Sequence, residues 1–327
     1  MKSVTTVEEI SNLIRSGKKL AVAGDEALLA KLPRGQWVGG TIPYFMSEEG
    51  GLCSHDKLQF ALLPEFVSSI SIRMYGADEL EKIPTGYAAN GFTRLIVPAG
   101  SAAHQRFAQE CSTWPGVFDQ PLVGWIAGVD LKDLGKVQAR VFNGETGEAS
   151  TEKAVALHAT LQDGTAARAH ILNLFQQSNG ETISFPTAGF VVTDALINGE
   201  KKNFANWVTE KSIDTKLPLV ADYLGAMVNV SFQSVDRDGG KVHLYAPVFP
   251  GVEYKIASPV GDYESEFRKE LEKRNVHPYF SCNCILNYLY ANLEGKRTGE
   301  IVGPITFGEI AYMLLNQTLV YLTFEKA

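Results

Sequence analysis

The sequence predicts an α+β fold: two interlocked, pseudo-repeated halves, with mixed β-sheets covered by helices. Three observations carry this. Many short apolar runs of strand length, such as Val67–Met74 with its period-two alternation, lie between glycine and asparagine turns. A few segments have helical spacing instead, led by Thr6–Arg15, Ala102–Cys111 and Tyr263–Arg274. And a pattern near the start returns near the end. Trp37-Val38-Gly39-Gly40-Thr41-Ile42 and Ile301-Val302-Gly303-Pro304-Ile305-Thr306 each run from an apolar pair into glycine, then threonine, then an aromatic (Tyr44-Phe45; Phe307), then a strand. Such an echo suggests duplication, with one glycine turn in each half around a shared cleft.

Taken in order, Thr6 caps a first helix whose stripe is Val7, Ile10, Leu13 and Ile14. Lys18–Ala23 is a buried strand, and Gly24-Asp25 opens a short helix with Ala27, Leu28, Leu29 and Leu32 inside. Trp37–Ile42 is a strand whose paired glycines mark a bulge or a close backbone approach. Glu48–Gly51 reads as a loop, Leu58–Leu63 and Val67–Met74 as strands, and Ala77–Lys82 as helical. Thr93–Val97 is a buried strand, and a turn at Pro98–Ser101 leads into the helix Ala102–Cys111. Val123–Val129 and Gln138–Phe142 follow as strands, then the Asn143-Gly144 turn. Thr151–Gln162 fits either state, with a strand over Ala154–Leu161 the preferred reading. Ala166–Leu174 has helical spacing. Short strands at Thr182–Phe185 and Gly189–Thr193 precede a turn at Asn198-Gly199. Val228–Val235 and Lys241–Tyr245 flank Asp236–Gly240 as a hairpin, Val252–Ala257 is a strand, and the helix Tyr263–Arg274 buries Phe267 and Leu271. The polar run Asn143–Lys153 is the best boundary, giving halves 1–150 and 151–327.

Composition narrows the function. The chain has 327 residues, 45% hydrophobic and 20% charged, the balance of a packed globular protein. With a net charge of −7 and no cluster of Lys and Arg, it is not built to neutralise phosphates, so no nucleic-acid partner is expected. The first residues lack an apolar core of signal-peptide length, and no stretch approaches the ~18 apolar residues of a membrane helix. The expectation is a cytoplasmic protein with no membrane partner, in which Cys53, Cys111, Cys282 and Cys284 are reduced thiols.

The last hundred residues carry a family resemblance. Ser281-Cys282 after a strand, Gly308-Glu309-Ile310 in a turn and Asn316-Gln317-Thr318 before a terminal strand resemble the C-terminal part of the FIST family, a two-part sensory domain of bacterial signalling proteins. Gly39-Gly40-Thr41 and the glycine-bearing Val123–Val129 resemble its N-terminal part. The resemblance implies FIST-N-like and FIST-C-like halves, binding of a small, amino-acid-like ligand, a signalling protein as partner, and no catalysis. The family commonly has an Arg a few residues after the Cys; here Ile285-Leu286-Asn287 stand in that region. A fixed cation suited to a carboxylate is absent from that position.

Pattern and resemblance together nominate ten ligand-binding residues: Cys282, Asn283, Cys284, Asn287, Thr306, Gly308, Glu309, Gly39, Gly40 and Thr41. The two thiols of Cys282-x-Cys284 share a side if the backbone is extended and diverge if a helix has begun. Free cysteine is also often a small buried hydrophobe. Glu309 is either an acceptor for turn N–H groups or a contact for a ligand ammonium. No nucleophile elbow, metalloprotease, P-loop or dinucleotide motif occurs. No catalytic residue, cofactor or metal is expected: Cys53-x-His55 could join Cys282 and Cys284 by residue type alone, without zinc spacing. The patterned His104, His158, His170 and His243 read as satisfied histidines. The alternatives are a thiol-dependent enzyme or redox sensor using Cys282 or Cys284, and a scaffold protein.

Overall fold

A computed structural model describes residues 2–223, 225–274 and 278–326; His277, where the cysteine-bearing C-terminal stretch begins, lies outside them. The chain forms two compact units. The first is Met1–Leu172, Phe267–Leu314 and Leu319–Ala327; the second is Asn173–Glu266 with Leu315–Thr318. The polar run Asn143–Lys153, read as a boundary, lies within the first unit. The α+β class with mixed sheets stands.

The first unit is built from one motif used three times. Its first copy runs β1 (Val4–Thr5), α1 (Val7–Arg15), β2 (Leu20–Gly24), α2 (Glu26–Leu29), β3 (Trp37–Thr41), β4 (Tyr44–Ser47), β5 (Gly50–Cys53) and β6 (Leu58–Leu62). The second runs β7 (Val67–Tyr75), a 3₁₀ segment (Ala77–Gly86), β8 (Gly91–Pro98), α3 (Ala102–Glu110), β9 (Leu122–Ala127), β10 (Val141–Asn143), β11 (Ala149–Ser150) and β12 (Ala154–Leu161). The third begins at β13 (Thr165–Leu172) and is then interrupted by the second unit. That insertion holds β14 (Ile183–Ser184), β15 (Gly189–Val192), β16 (Asp194–Ile197), β17 (Glu200–Asn203), α4 (Phe204–Glu210), β18 (Leu219–Tyr223), β19 (Ala226–Val230), β20 (Phe232–Asp236), β21 (Lys241–Val248) and β22 (Tyr254–Ile256). The third copy resumes with α5 (Tyr263–Arg274), β23 (Phe280–Cys284), α6 (Ile285–Tyr290), β24 (Gly303–Thr306), β25 (Glu309–Ala311), β26 (Met313–Leu315) and β27 (Leu319–Lys326).

The sheet orders make the repetition explicit. They are β1-β6-β2-β3-β10-β11, β7-β12-β8-β9-β25-β26 and β13-β27-β23-β24-β4-β5. In each sheet the central pair is parallel and joined by a helix: β2 with β3, β8 with β9, β23 with β24. The flanking pairs are antiparallel. The outer two strands of each sheet come from another copy, so β4 and β5 complete the third sheet, β10 and β11 the first, β25 and β26 the second. No copy covers its own strand edge; the exchange closes a ring of three.

The glycines recur with the motif. Gly39 stands opposite Phe142, Gly124 opposite Ile310 and Gly303 opposite Met46, each where a borrowed strand crosses. A Cβ on Gly124 would sit 1.7 Å from the Leu95 carbonyl oxygen, and one on Gly303 would sit 2.1 Å from that of Ser281. Only glycine fits there. The echo between Trp37–Ile42 and Ile301–Thr306 is therefore two parts of a threefold repeat, with Leu122–Ala127 the third.

Most elements fall as the pattern predicts. Thr6 caps α1 by accepting from Glu9 N, and β12 occupies Ala154–Leu161. Three segments differ. Ala166–Leu174, expected as helix, is the strand β13, paired with β27 along its whole length. Glu48–Gly51, expected as loop, is one only in part: Glu48-Glu49 make the turn, and Gly50-Gly51 already belong to β5. The single strand expected over Val228–Val235 divides at Ser231, where the chain passes from the sheet of β18 and β19 to that of β20 and β21.

The second unit has its own core. Phe185, Phe204, Trp207, Phe232 and Tyr254 form an aromatic cluster, with Phe204 stacked on Trp207 at 5.8 Å. Its polar seam takes in the Asn316-Gln317-Thr318 motif: Asn229 Nδ2 donates to Asn316 O at 3.1 Å and Ser231 Oγ to Gln317 Oε1 at 2.7 Å. Among the described residues no helix is long and apolar enough to cross a membrane.

Candidate functional site

The ten nominated residues all belong to the first unit, and all are buried. Phe280–Cys284 is extended and the helix starts at Ile285, so Cys282 and Cys284 share a side. That side faces the protein interior. Cys282 is wholly buried and its thiol donates to Gly124 O at 3.1 Å. Burial pushes this thiol well above its ordinary value, and the negative charge of Glu309 adds to the shift. Asn283 Oδ1 accepts from Cys284 N at 2.8 Å and from Asn287 Nδ2 at 2.9 Å. Thr306 Oγ1 donates to Gly308 O at 3.0 Å, an oxygen that also accepts from Ile126 N at 2.8 Å. Thr41 Oγ1 accepts from Arg140 N, and Thr41 O from Gly128 N at 2.7 Å. Gly40 lies against Ile96 and Trp125, and Trp125 is the register partner of Glu309. These polar groups tie the ends of β3, β9 and β24 together, so the set is a buried network that locks three repeats.

Sequence reasoning missed the cation of this network. Arg94, in the middle of β8, is buried with its guanidinium 4.2 Å over the Phe280 ring. Burial lowers its pKa to about 10, and the adjacent Cys282 opposes that shift. A cation thus stands beside Cys282, but it comes from the second repeat. The signal was an arginine inside the apolar run Thr93–Val97, where a charge is unusual without a partner.

The accessible chemistry lies at the carboxyl ends of β2 and β3, where ligands of parallel sheets commonly bind. Asp25 follows β2, Tyr44 opens β4, Cys53 ends β5, His55 sits in the loop after it, and Asp130 follows β9. Short-range bonding fixes the frame: Gly24 O accepts from Ile42 N, and Pro43 O from Ser54 N. His55 is held on both nitrogens, Nδ1 at 2.6 Å from Asp25 Oδ2 and Nε2 at 3.0 Å from Asp130 Oδ2. The Cys53 thiol is 3.9 Å from the same Nε2. Asp130 is buried, and its Oδ1 accepts from Tyr44 OH at 3.1 Å and Lys132 N at 2.9 Å. Tyr44 OH in turn accepts from Leu131 N.

The electrostatics follow from this wiring. The hydrogen bond to Asp25 raises His55, and with both ring nitrogens facing carboxylate oxygens, which can only accept, the geometry suits the doubly protonated imidazolium. The Lys132 N–H lowers Asp130 and keeps it ionised. Partial burial, then the charge of Asp130, raises the Cys53 thiol. Ligand atoms of Cys53, His55 and Asp130 lie within 4.8 Å of one another, and neither Cys282 nor Cys284 joins that group. Of this set only the Cys53-x-His55 spacing was visible in sequence.

With its fold and site in view, the chain can be placed. It belongs to a family of unknown function (DUF6976), matched over residues 5–325. No curated protein matches it.

Proposed function

We propose that the protein binds a small, positively charged ligand at the cluster of Asp25, Tyr44, Cys53, His55 and Asp130, as a cytoplasmic sensory element and not as a thiol enzyme. One observation carries this: two carboxylates, one of them buried and ionised, converge on a single surface imidazole. With His55 protonated the three groups still sum to a net negative charge, which suits a cation. The ammonium of an amino-acid-like ligand matches that chemistry, and a sensory role that passes the signal to a partner protein is what the FIST resemblance implies. Catalysis through Cys282 or Cys284 has less support, because burial holds the Cys282 thiol protonated.

A thermal-shift screen of amino acids, amines and divalent cations tests the reading. A ligand at 100 times its Kd adds about 2.7 kcal/mol to stability. The shift should disappear in Asp130→Asn. A panel that moves the melting temperature nowhere would overturn the assignment.

A further inference from the structure

We infer that Cys53, His55 and Asp130 form a site for a divalent transition-metal ion of the zinc type, with Asp25 as the carboxylate that orients His55. The inference rests on the cation-binding reading above and names the class of cation. The donor set is one thiol, one imidazole and one carboxylate, the mixture that borderline-soft Zn²⁺ takes.

The distances fit. A tetrahedral ion bound at ordinary lengths would hold sulfur and nitrogen about 3.6 Å apart, and nitrogen and oxygen about 3.3 Å apart. The observed separations are 3.9 Å for Cys53 Sγ to His55 Nε2 and 3.0 Å for His55 Nε2 to Asp130 Oδ2. These two separations need shifts of roughly 0.3 Å; the third, Cys53 Sγ to the Asp130 carboxylate, lies within 4.8 Å and closes by rotation of the exposed Cys53 side chain. The outer contacts are already in place. Asp25 holds Nδ1–H at 2.6 Å, which leaves Nε2 as the coordinating nitrogen, the usual carboxylate–histidine–metal arrangement. Tyr44 OH and Lys132 N occupy Asp130 Oδ1, which leaves Oδ2 turned to the imidazole.

A separate observation points to a group at this place. The Tyr288 hydroxyl is buried and has no hydrogen-bond partner among the described residues. Its ring packs 5.7 Å from that of Tyr44, whose hydroxyl bonds Asp130. A water or ligand on the ion's open position would give that hydroxyl a partner.

Loading balances as an exchange. The ion takes the Nε2 lone pair, the Cys53 sulfur lone pair and one Asp130 oxygen; the Nε2 proton and the thiol proton leave to solvent. Two protons are released per ion, and the charge of Cys53⁻, Asp130⁻ and the dication sums to zero.

The test uses the full chain, stripped with a chelator and titrated with Co²⁺ and Zn²⁺. One Co²⁺ per chain should bind and give a near-ultraviolet thiolate-to-cobalt charge-transfer band. Cys53→Ser should abolish the band. His55→Gln should abolish stoichiometric binding, and Asp25→Asn should weaken it about 10–100-fold while the band persists. Calorimetry of Zn²⁺ binding in buffers of different ionisation enthalpy should return two protons released. Absence of the band, or a band that survives Cys53→Ser, would overturn the metal assignment. If metals are silent but an amine or amino acid stabilises the protein through Asp130, the metal assignment falls and the cation-binding reading stands. If neither acts, both fall.

Discussion

Two regions of the first unit occupy the same place in the threefold motif and have opposite fates. At the end of β23 and β24, in the third repeat, Asn283, Cys284, Asn287 and Thr306 bond to one another inside the protein. At the end of β2 and β3, in the first repeat, Asp25, Tyr44 and Asp130 meet Cys53 and His55, and those last two are exposed. Both sets look alike as sequence: short polar residues where strands end. One is a buried internal network, and the other gathers ionisable groups around an exposed imidazole. Residue type alone does not separate structure from function; burial and the direction of the side chains do.

Breaking the lock should cost most. Gly124→Ala would drive a methyl into the Leu95 carbonyl at 1.7 Å, where backbone and not a flexible side chain must move. We expect about 3 kcal/mol or more of lost stability, read by urea unfolding. Asn283→Ala comes next. It removes the buried oxygen that accepts from both Cys284 N and Asn287 Nδ2, and should cost about 1–3 kcal/mol in the same measurement. At the surface, Cys53→Ser should change stability by no more than about 0.5 kcal/mol in chelator-stripped protein, and His55→Gln, which takes the imidazole from the buried Asp130, by about 1 kcal/mol, well below the buried changes. A large loss from either surface change, or tolerance of both buried ones, would reverse the assignment of the two regions.

Acid sharpens the comparison further. His158 is buried between Tyr75 OH, 2.9 Å from Nε2, and Thr93 Oγ1, 2.8 Å from Nδ1. Burial, aided by Arg73, lowers its pKa to about 4, and burial does the same to His104. Both groups are neutral when folded and gain protons more readily when unfolded. Their contribution is present above the unfolded value of about 6.5 and is lost as pH falls towards 4. The urea midpoint should therefore decline through that window, before most carboxylates titrate. A flat profile there would mean that the two histidines are charged in the folded state.

Much of the architecture was legible in the residues. Thr6 with its apolar stripe gave the first helix, and the apolar run Ala154–Leu161 gave β12, because capping and burial pattern are local. The glycine echo was visible too, since a close backbone approach forbids any other residue. The third copy escaped notice because Gly124 stands among Val123, Trp125 and Ile126, without the flanking Gly and Thr of the first copy. Ala166–Leu174 read as helix because its apolar spacing suits one; as an edge strand against β27 it is governed by its partner.

The α+β class and the order of most strands and helices could thus be read from the residues, as consequences of short-range sterics and burial pattern. Only the tertiary structure decided how many copies there are, since strand exchange between repeats leaves no local mark. It alone brought Asp25, His55 and Asp130 together across two repeats. And it alone turned Cys282 inward and left Cys53 at the surface, because the side a side chain faces is set by the strands that pack on it.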